Sequence, residues 1–184
     1  NKVPVDWSTG APPVPTRPGI STYDEHEFPL GDLVPRIDWT PFFQAWELAG
    51  HYPDILEDPT VGASARSVFS DAQQMLRKIV EEKWLKVRAV VGFFPANSDG
   101  AEDICIWPEA GSRKPDEKPI AVVHTIRQQM VKPDGRPNVA LADFVAPCST
   151  GLTDWMGFFA VTTGIGVDAK VAEFAAVHDD YSAI

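Results

Sequence analysis

Basic side chains are scarce in this sequence, cysteine is scarcer still, and no apolar run is long enough to cross a bilayer. Lysine and arginine total 16 against 26 aspartates and glutamates, a formal net charge of −10 over 184 residues. Such a surface repels phosphate backbones, and only scattered basic pairs offset it, so nucleic acid is not an expected partner. A membrane span needs about 20 consecutive apolar residues. None is present, and the N-terminus carries no signal-peptide pattern, so the expected setting is the cytoplasm, away from membranes. Cys105 and Cys148 form no CxxC or other metal-ligand spacing. Two thiols kept reduced are expected rather than a disulfide.

Catalytic signatures are missing as well. No Gly-x-Ser-x-Gly elbow occurs, and neither cysteine has an obviously electropositive setting. "TTGIG" at 162–166 matches neither a P-loop nor a dinucleotide-binding spacing and reads as a strand-to-helix turn. His26, His51, His124 and His178 are far apart, with no histidine or cysteine three or four residues away. "HDDY" at 178–181 places three potential ligands in a row, but adjacent helical residues point in different directions, so a solvated or salt-bridged helix end is expected. "DEHEFP" at 24–29 approaches an Asp-x-His-x-x-Gly corrinoid frame, yet Pro29 stands at the glycine position. No metal site is expected in this chain.

What is present begins with proline. Residues 1–36 hold 7 of the 17 prolines without periodicity, which predicts an extended surface arm or linker. A first helix should start at Thr40 as N-cap, with Pro41 at the first helical position and Gly50 closing it. Phe42, Phe43, Ala45, Trp46, Leu48 and Ala49 leave it almost no polar face, so it should be buried. At its mouth, in "IDWTPFF" (37–43), stands Asp38. Its carboxylate could cap the helix, accept hydrogen bonds within the fold, or contact a ligand. With Thr40 as cap, it is free to point elsewhere.

A second helix over 62–83 places Val68, Phe69, Ala72, Met75, Leu76, Ile79 and Val80 on one stripe and should pack on a sheet. Strands are predicted at 87–96, 103–107, 120–126 and 155–163, the first two forming an antiparallel hairpin. "LADFVAP" (141–147) suits either a strand or an ordered loop, and a last helix should begin with Asp168 as N-cap and run through "KVAEFAAVHDDYSAI". Together these elements make an α+β domain. Composition and pattern alone assign it no function.

Particular segments carry more information. "KVPVDW", "IDWTPFFQAWELAGHYPDILED", "VGASARSVFSDAQQML", "VVGFFPANSDGAEDI", "RQQ", "LADFVAPCSTG", "FFAVTTG" and "HDDYSAI" occur in an order that closely resembles the activation (reactivation) module of cobalamin-dependent methionine synthase. The resemblance covers nearly the whole chain. It implies a bent antiparallel sheet packed with helices, here incomplete, with residues 1–36 as a linker after a cobalamin-binding module and 37–184 as the N-terminal part of the activation domain. It also implies a role in a methyltransferase of methionine biosynthesis. That module binds S-adenosylmethionine and presents its methyl group for reductive methylation of cob(II)alamin, while a flavodoxin or similar reductase supplies the electron.

Cobalamin and zinc are implied only for other modules of such a protein. Asp38 matches the family's S-adenosylmethionine contact, with the α-ammonium of the ligand as favoured partner and a ribose hydroxyl as the alternative. The family's further contacts centre on an Arg-Pro-Ala-Pro-Gly-Tyr-Pro motif that has no match here, so weak or absent ligand binding and no catalysis by this chain alone are expected. The helix 62–83 and the sheet should then be partly uncovered, leaving a marginal or associating domain. The alternative is a docking or scaffold piece without a ligand of its own. It would contact the cobalamin module or a flavodoxin-type reductant through a patch near His51, Tyr52 and the "FPAN" turn.

Overall fold

The computed structural model describes residues 2–111 and 117–184. Among them are five strands, β1 (Gly19–Asp24), β2 (Lys86–Ser98), β3 (Asp103–Ile106), β4 (Ala121–His124) and β5 (Asp154–Ile165), and five helices, α1 (Leu30–Leu33), α2 (Thr40–Ala45), α3 (Gly62–Glu81), α4 (Val167–Ala176) and α5 (Asp180–Ala183). The strands form one sheet in the order β1-β2-β3-β4, with β5 also paired to β2. The fold is α+β, as the sequence pattern predicts. The chain forms two units, one from Asn1–Ser21 and Val90–Ala160, the other from Thr22–Ala89 and Val161–Ile184.

In the first unit, β2 and β3 make the predicted antiparallel hairpin, with Asn97 opposite Cys105. The connecting "NSDG" turn is held by Asp99, whose Oδ1 accepts the Ala101 and Asp103 N–H groups at 2.7 and 3.2 Å. β4 continues the antiparallel ladder beyond β3. Ala96, Ile104, Ile106 and Ala142 form the core, with Phe94, Val123, Val145 and Met156 packed around them. "LADFVAP" resolves as a 3-10 turn at Leu141–Phe144 followed by a bridge from Pro147 to Ser98.

The second unit centres on Phe43, Ile55 and Ala65, ringed by Trp39, Phe42, Leu48, Leu56, Val61, Val68 and Phe69. α3 runs over 20 residues, in agreement with its apolar period. Its Val68–Val80 stripe is only half-buried, and Gly62 and Ala65 are its buried positions. α2 departs further from expectation. Phe43 is its buried residue, whereas Ala45 and Ala49 are exposed.

Helix ends account for several corrections. α2 stops after Ala45 and not at Gly50, because Glu47 adopts φ +56°. The Leu48 N–H then reaches the Phe43 carbonyl at 2.9 Å and the Glu47 N–H the Gln44 carbonyl at 3.0 Å, a Schellman motif. Lys83 at φ +54° closes α3 in the same way, with Trp84 N–H on the Ile79 carbonyl at 3.1 Å. His178 at φ +60° ends α4, with Asp179 N–H on the Phe174 carbonyl at 3.0 Å. The predicted last helix is therefore two helices. The first starts after Gly166, with Asp168 inside its first turn, and Asp179 caps the second through the Ser182 N–H.

The proline-rich arm is also more structured than expected, since β1 and α1 lie within residues 1–36. Pro29 immediately precedes α1 and Pro35 sits inside a 3-10 turn, positions where a missing N–H costs little. "DEHEFP" forms a turn in which Asp24 Oδ1 accepts the His26 N–H at 2.8 Å, and Arg88 pairs with Glu25 and Asp24 beside it.

Candidate functional site

Asp38 lies between the 3-10 turn Val34–Arg36 and α2. Its Oδ1 accepts the Thr40 N–H at 3.0 Å, and its Oδ2 has no hydrogen-bond partner among the described residues. The carboxylate is exposed. Thr40 is the first helical residue rather than the cap, and its Oγ1 accepts the Tyr52 N–H at 3.3 Å. Asp38 therefore takes a capping role that the sequence assigned to Thr40, but with one oxygen only. The choice among its candidate roles becomes concrete: half of the carboxylate serves the fold and half faces solvent.

The neighbours of Asp38 fix its backbone. Trp39 packs edge-on against Phe42 at 5.5 Å and Phe69 at 4.8 Å between ring centroids. On the other side, Ile37 lines an apolar cavity of about 320 Å³ with Leu33, Leu76 and Ile79. Trp39 is thus packed on one side, while Ile37, 38% exposed, lines an open apolar hollow on the other, so the carboxylate stands at the rim of an apolar wall. Such a group can accept a charge-assisted hydrogen bond from an ammonium.

A second polar constellation lies in the other unit, and sequence reasoning gave it no role. Arg127 grips Asp143 in a two-pronged pair, with N–O distances of 2.6 and 2.8 Å, and also donates to the Asn138 carbonyl at 2.7 Å and Glu102 at 3.2 Å. The Asp143 side chain is 2% exposed and Arg127 12%. Asp143 Oδ2 accepts the Ala140 N–H at 3.1 Å as well. Arg127 above all, with help from that N–H, holds the Asp143 carboxyl far below the usual carboxylate range against the opposing effect of burial.

Nearby, Asn97 Nδ2 donates to the Ala146 and Leu152 carbonyls at 3.0 and 2.8 Å, and Ser98 Oγ donates to the Val145 carbonyl at 3.0 Å. Asp154 Oδ2 accepts the Ala146 N–H at 2.9 Å. "FFPAN" and "LADFVAP" are thus two halves of one buried polar lock. "FPAN" is strand rather than an exposed turn, and Pro95–Ser98 are enclosed, which removes it from the expected docking patch. His51 and Tyr52 do remain at the surface.

No group of three or more histidine, cysteine or acidic residues is placed to hold a metal ion among the described residues. In "HDDY", Asp179 is a helix cap and Tyr181 donates to Asp71 at 2.8 Å. Cys105 and Cys148 are not joined in a disulfide. Burial pushes the Cys105 thiol up, with added repulsion from Cys148, Asp99 and Asp103, which leaves it a poor nucleophile. No described helix is long and apolar enough to cross a membrane.

Comparison with known proteins fits this architecture. The family model of the vitamin B12 dependent methionine synthase activation domain matches residues 29–184. Among solved structures, the chain is similar to one described as the crystal structure of the MetH reactivation domain bound to AdoHcy, with 45% sequence identity and a TM-score of 0.86. The match covers 100% of this chain and 54% of that one, so the chain spans about half the length of the relative. The segments that carry the sequence resemblance include the buried lock, the N-terminal three quarters of α3 and the Asp38 stretch. This chain belongs to the family of vitamin B12 dependent methionine synthase activation domains.

Proposed function

We propose that this chain forms part of a module that recognises S-adenosylmethionine for the reactivation of protein-bound cobalamin in a methionine-forming methyltransferase, with Asp38 as one ligand contact. The observation that carries the reading is the half-committed carboxylate. One oxygen is held by the Thr40 N–H, and the other is open at an exposed position in a chain of this family. The similar MetH domain is bound to AdoHcy, which has an α-ammonium and no sulfonium charge. That favours the α-ammonium over the sulfonium as the group Asp38 receives, with a ribose hydroxyl as the alternative.

When bound, S-adenosylmethionine supplies a methyl group on a sulfonium sulfur. The part assigned to this chain is to bind and orient. Asp38 neutralises the ammonium and fixes the amino-acid end, while the packing of Trp39 on Phe42 and Phe69 holds the following residue in place. The cobalamin module and a flavodoxin-type reductase are the partners this reading requires, the module upstream being joined through the segment 1–36.

Calorimetric titration of S-adenosylmethionine and AdoHcy into the chain and its Asp38→Ala variant tests the contact. A charge-assisted hydrogen bond contributes about 1.5–3 kcal/mol, so the variant should bind both ligands about 10- to 150-fold more weakly. Loss confined to S-adenosylmethionine would move the contact to the sulfonium. Equal affinity of parent and variant for both ligands would remove Asp38 from the site.

A further inference from the structure

Thr40 stands at a junction to which the Asp38 contact alone gives no role. Its N–H donates to Asp38 Oδ1 at 3.0 Å, while its own Oγ1 accepts the Tyr52 N–H at 3.3 Å, 12 residues further along the chain. One residue therefore holds the carboxylate on one side and the turn that follows α2 on the other. That turn has supports of its own. The Tyr52 ring lies nearly parallel to Phe43, at 14° and 6.4 Å between centroids, and 5.5 Å from Phe69. The His51 carbonyl accepts the Ile55 N–H at 2.8 Å.

α2 has only six residues, and a helix that short does not hold its first turn by its own hydrogen bonds. Trp39, at the N-cap position, gives it no side-chain bond. The Thr40 hydroxyl supplies a tie, closing residues 40–52 into a loop whose far end rests on Phe43 and Phe69. Fraying of that turn would carry the Thr40 N–H away from Asp38 and free the carboxylate to change rotamer. A carboxylate that swings has to be ordered again when a ligand arrives, and that ordering subtracts from affinity.

We propose that Thr40 is a positioning residue for the Asp38 contact. Through its bond to Tyr52 it holds the N–H that fixes one Asp38 oxygen, and so keeps the other presented to the ligand ammonium. This role rests on Asp38 being a ligand contact.

The test is calorimetry with AdoHcy and with 5′-methylthioadenosine, which has the adenosine and the thioether but no amino-acid end. The proteins are the parent chain, Asp38→Ala, Thr40→Val, Thr40→Ser and the Asp38→Ala/Thr40→Val double variant. Valine matches threonine in shape but accepts no hydrogen bond, and the Tyr52 bond lies at the surface, where water can take the freed N–H. Thr40→Val should bind AdoHcy about fivefold more weakly, the scale of one neutral hydrogen bond, with methylthioadenosine affinity unchanged. Thr40→Ser should bind as the parent does. On the Asp38→Ala background, Thr40→Val should change AdoHcy affinity by less than about twofold, because the group it positions is gone.

A Thr40→Val loss shared equally by both ligands, or one that adds in full to the Asp38→Ala loss, makes Thr40 a purely structural residue and overturns the proposal. Full AdoHcy affinity in Thr40→Val beside a weakened Asp38→Ala also overturns it and leaves the Asp38 contact standing. Equal affinity of parent and Asp38→Ala, or no AdoHcy binding to the parent, removes the Asp38 contact and the role of Thr40 with it. Should circular dichroism show Thr40→Val unfolded, Thr40→Ala takes its place with the same expectations.

Discussion

Asp143 shows how one side chain can govern a whole segment. A carboxylate 2% exposed would be costly alone, but Arg127 meets it with two parallel N–H donors and the Ala140 backbone adds a third. Removing the carboxylate strands the guanidinium, so Asp143→Ala should lower the unfolding free energy by about 3–5 kcal/mol in urea denaturation. The pH dependence follows from the same contact. Because the folded-state carboxyl is held below its unfolded value, near 3.9, this stabilisation is complete above that pH and is lost as pH falls further toward the folded value. The melting temperature should therefore drop steeply below about pH 4, and Asp143→Asn should flatten that part of the profile.

No local pattern pairs Arg127 with Asp143, 16 positions apart. The sequence shows an arginine in "RQQ" and an aspartate in "LADFVAP", and only the fold brings them together. Asp38 was more legible, because a charged residue before an apolar, Pro-led helix raises its own question. Which of its oxygens would be occupied was not legible.

At the scale of elements, apolar period located α3 and the β2–β3 hairpin correctly, since both depend on side chains repeating over many residues. The ends of α2 and of the last predicted helix were misread for one shared reason, which the well-placed end of α3 also shows. Glu47, Lys83 and His178 occupy the left-handed position usually given to glycine, and each is closed by the same pair of backbone hydrogen bonds. The predicted terminator, Gly50, has a different duty. A Cβ there would lie 2.9 Å from Ile55 Cγ1, so that glycine permits close approach of the following turn.

Two opposite predictions arise. Glu47→Gly should stabilise the chain by roughly 1 kcal/mol, read as a higher urea midpoint, because it relieves left-handed strain at an exposed residue. Gly166→Ala should destabilise it by roughly 1–3 kcal/mol, since φ is +108° and the new Cβ would sit 2.7 Å from the Trp84 carbonyl oxygen. β1 was not predicted because its six residues follow Pro18 directly, within the proline-rich stretch expected to be an extended arm.

For the molecule as a whole, net charge and family set the terms. A charge of −10 works against itself, so the melting temperature should rise as sodium chloride increases from ~20 to ~200 mM, while the buried Arg127–Asp143 pair is little screened. The half-buried stripe of α3 and the exposed Tyr52 give apolar surface that a larger assembly can use. The central claim nevertheless rests on one carboxylate, and one amide reports on it. Proton–nitrogen correlation spectra recorded during titration with AdoHcy should show the Thr40 N–H, bonded to Asp38, among the most strongly shifted signals. A titration in which ligand moves amides elsewhere and leaves residues 38–40 in place would contradict the account.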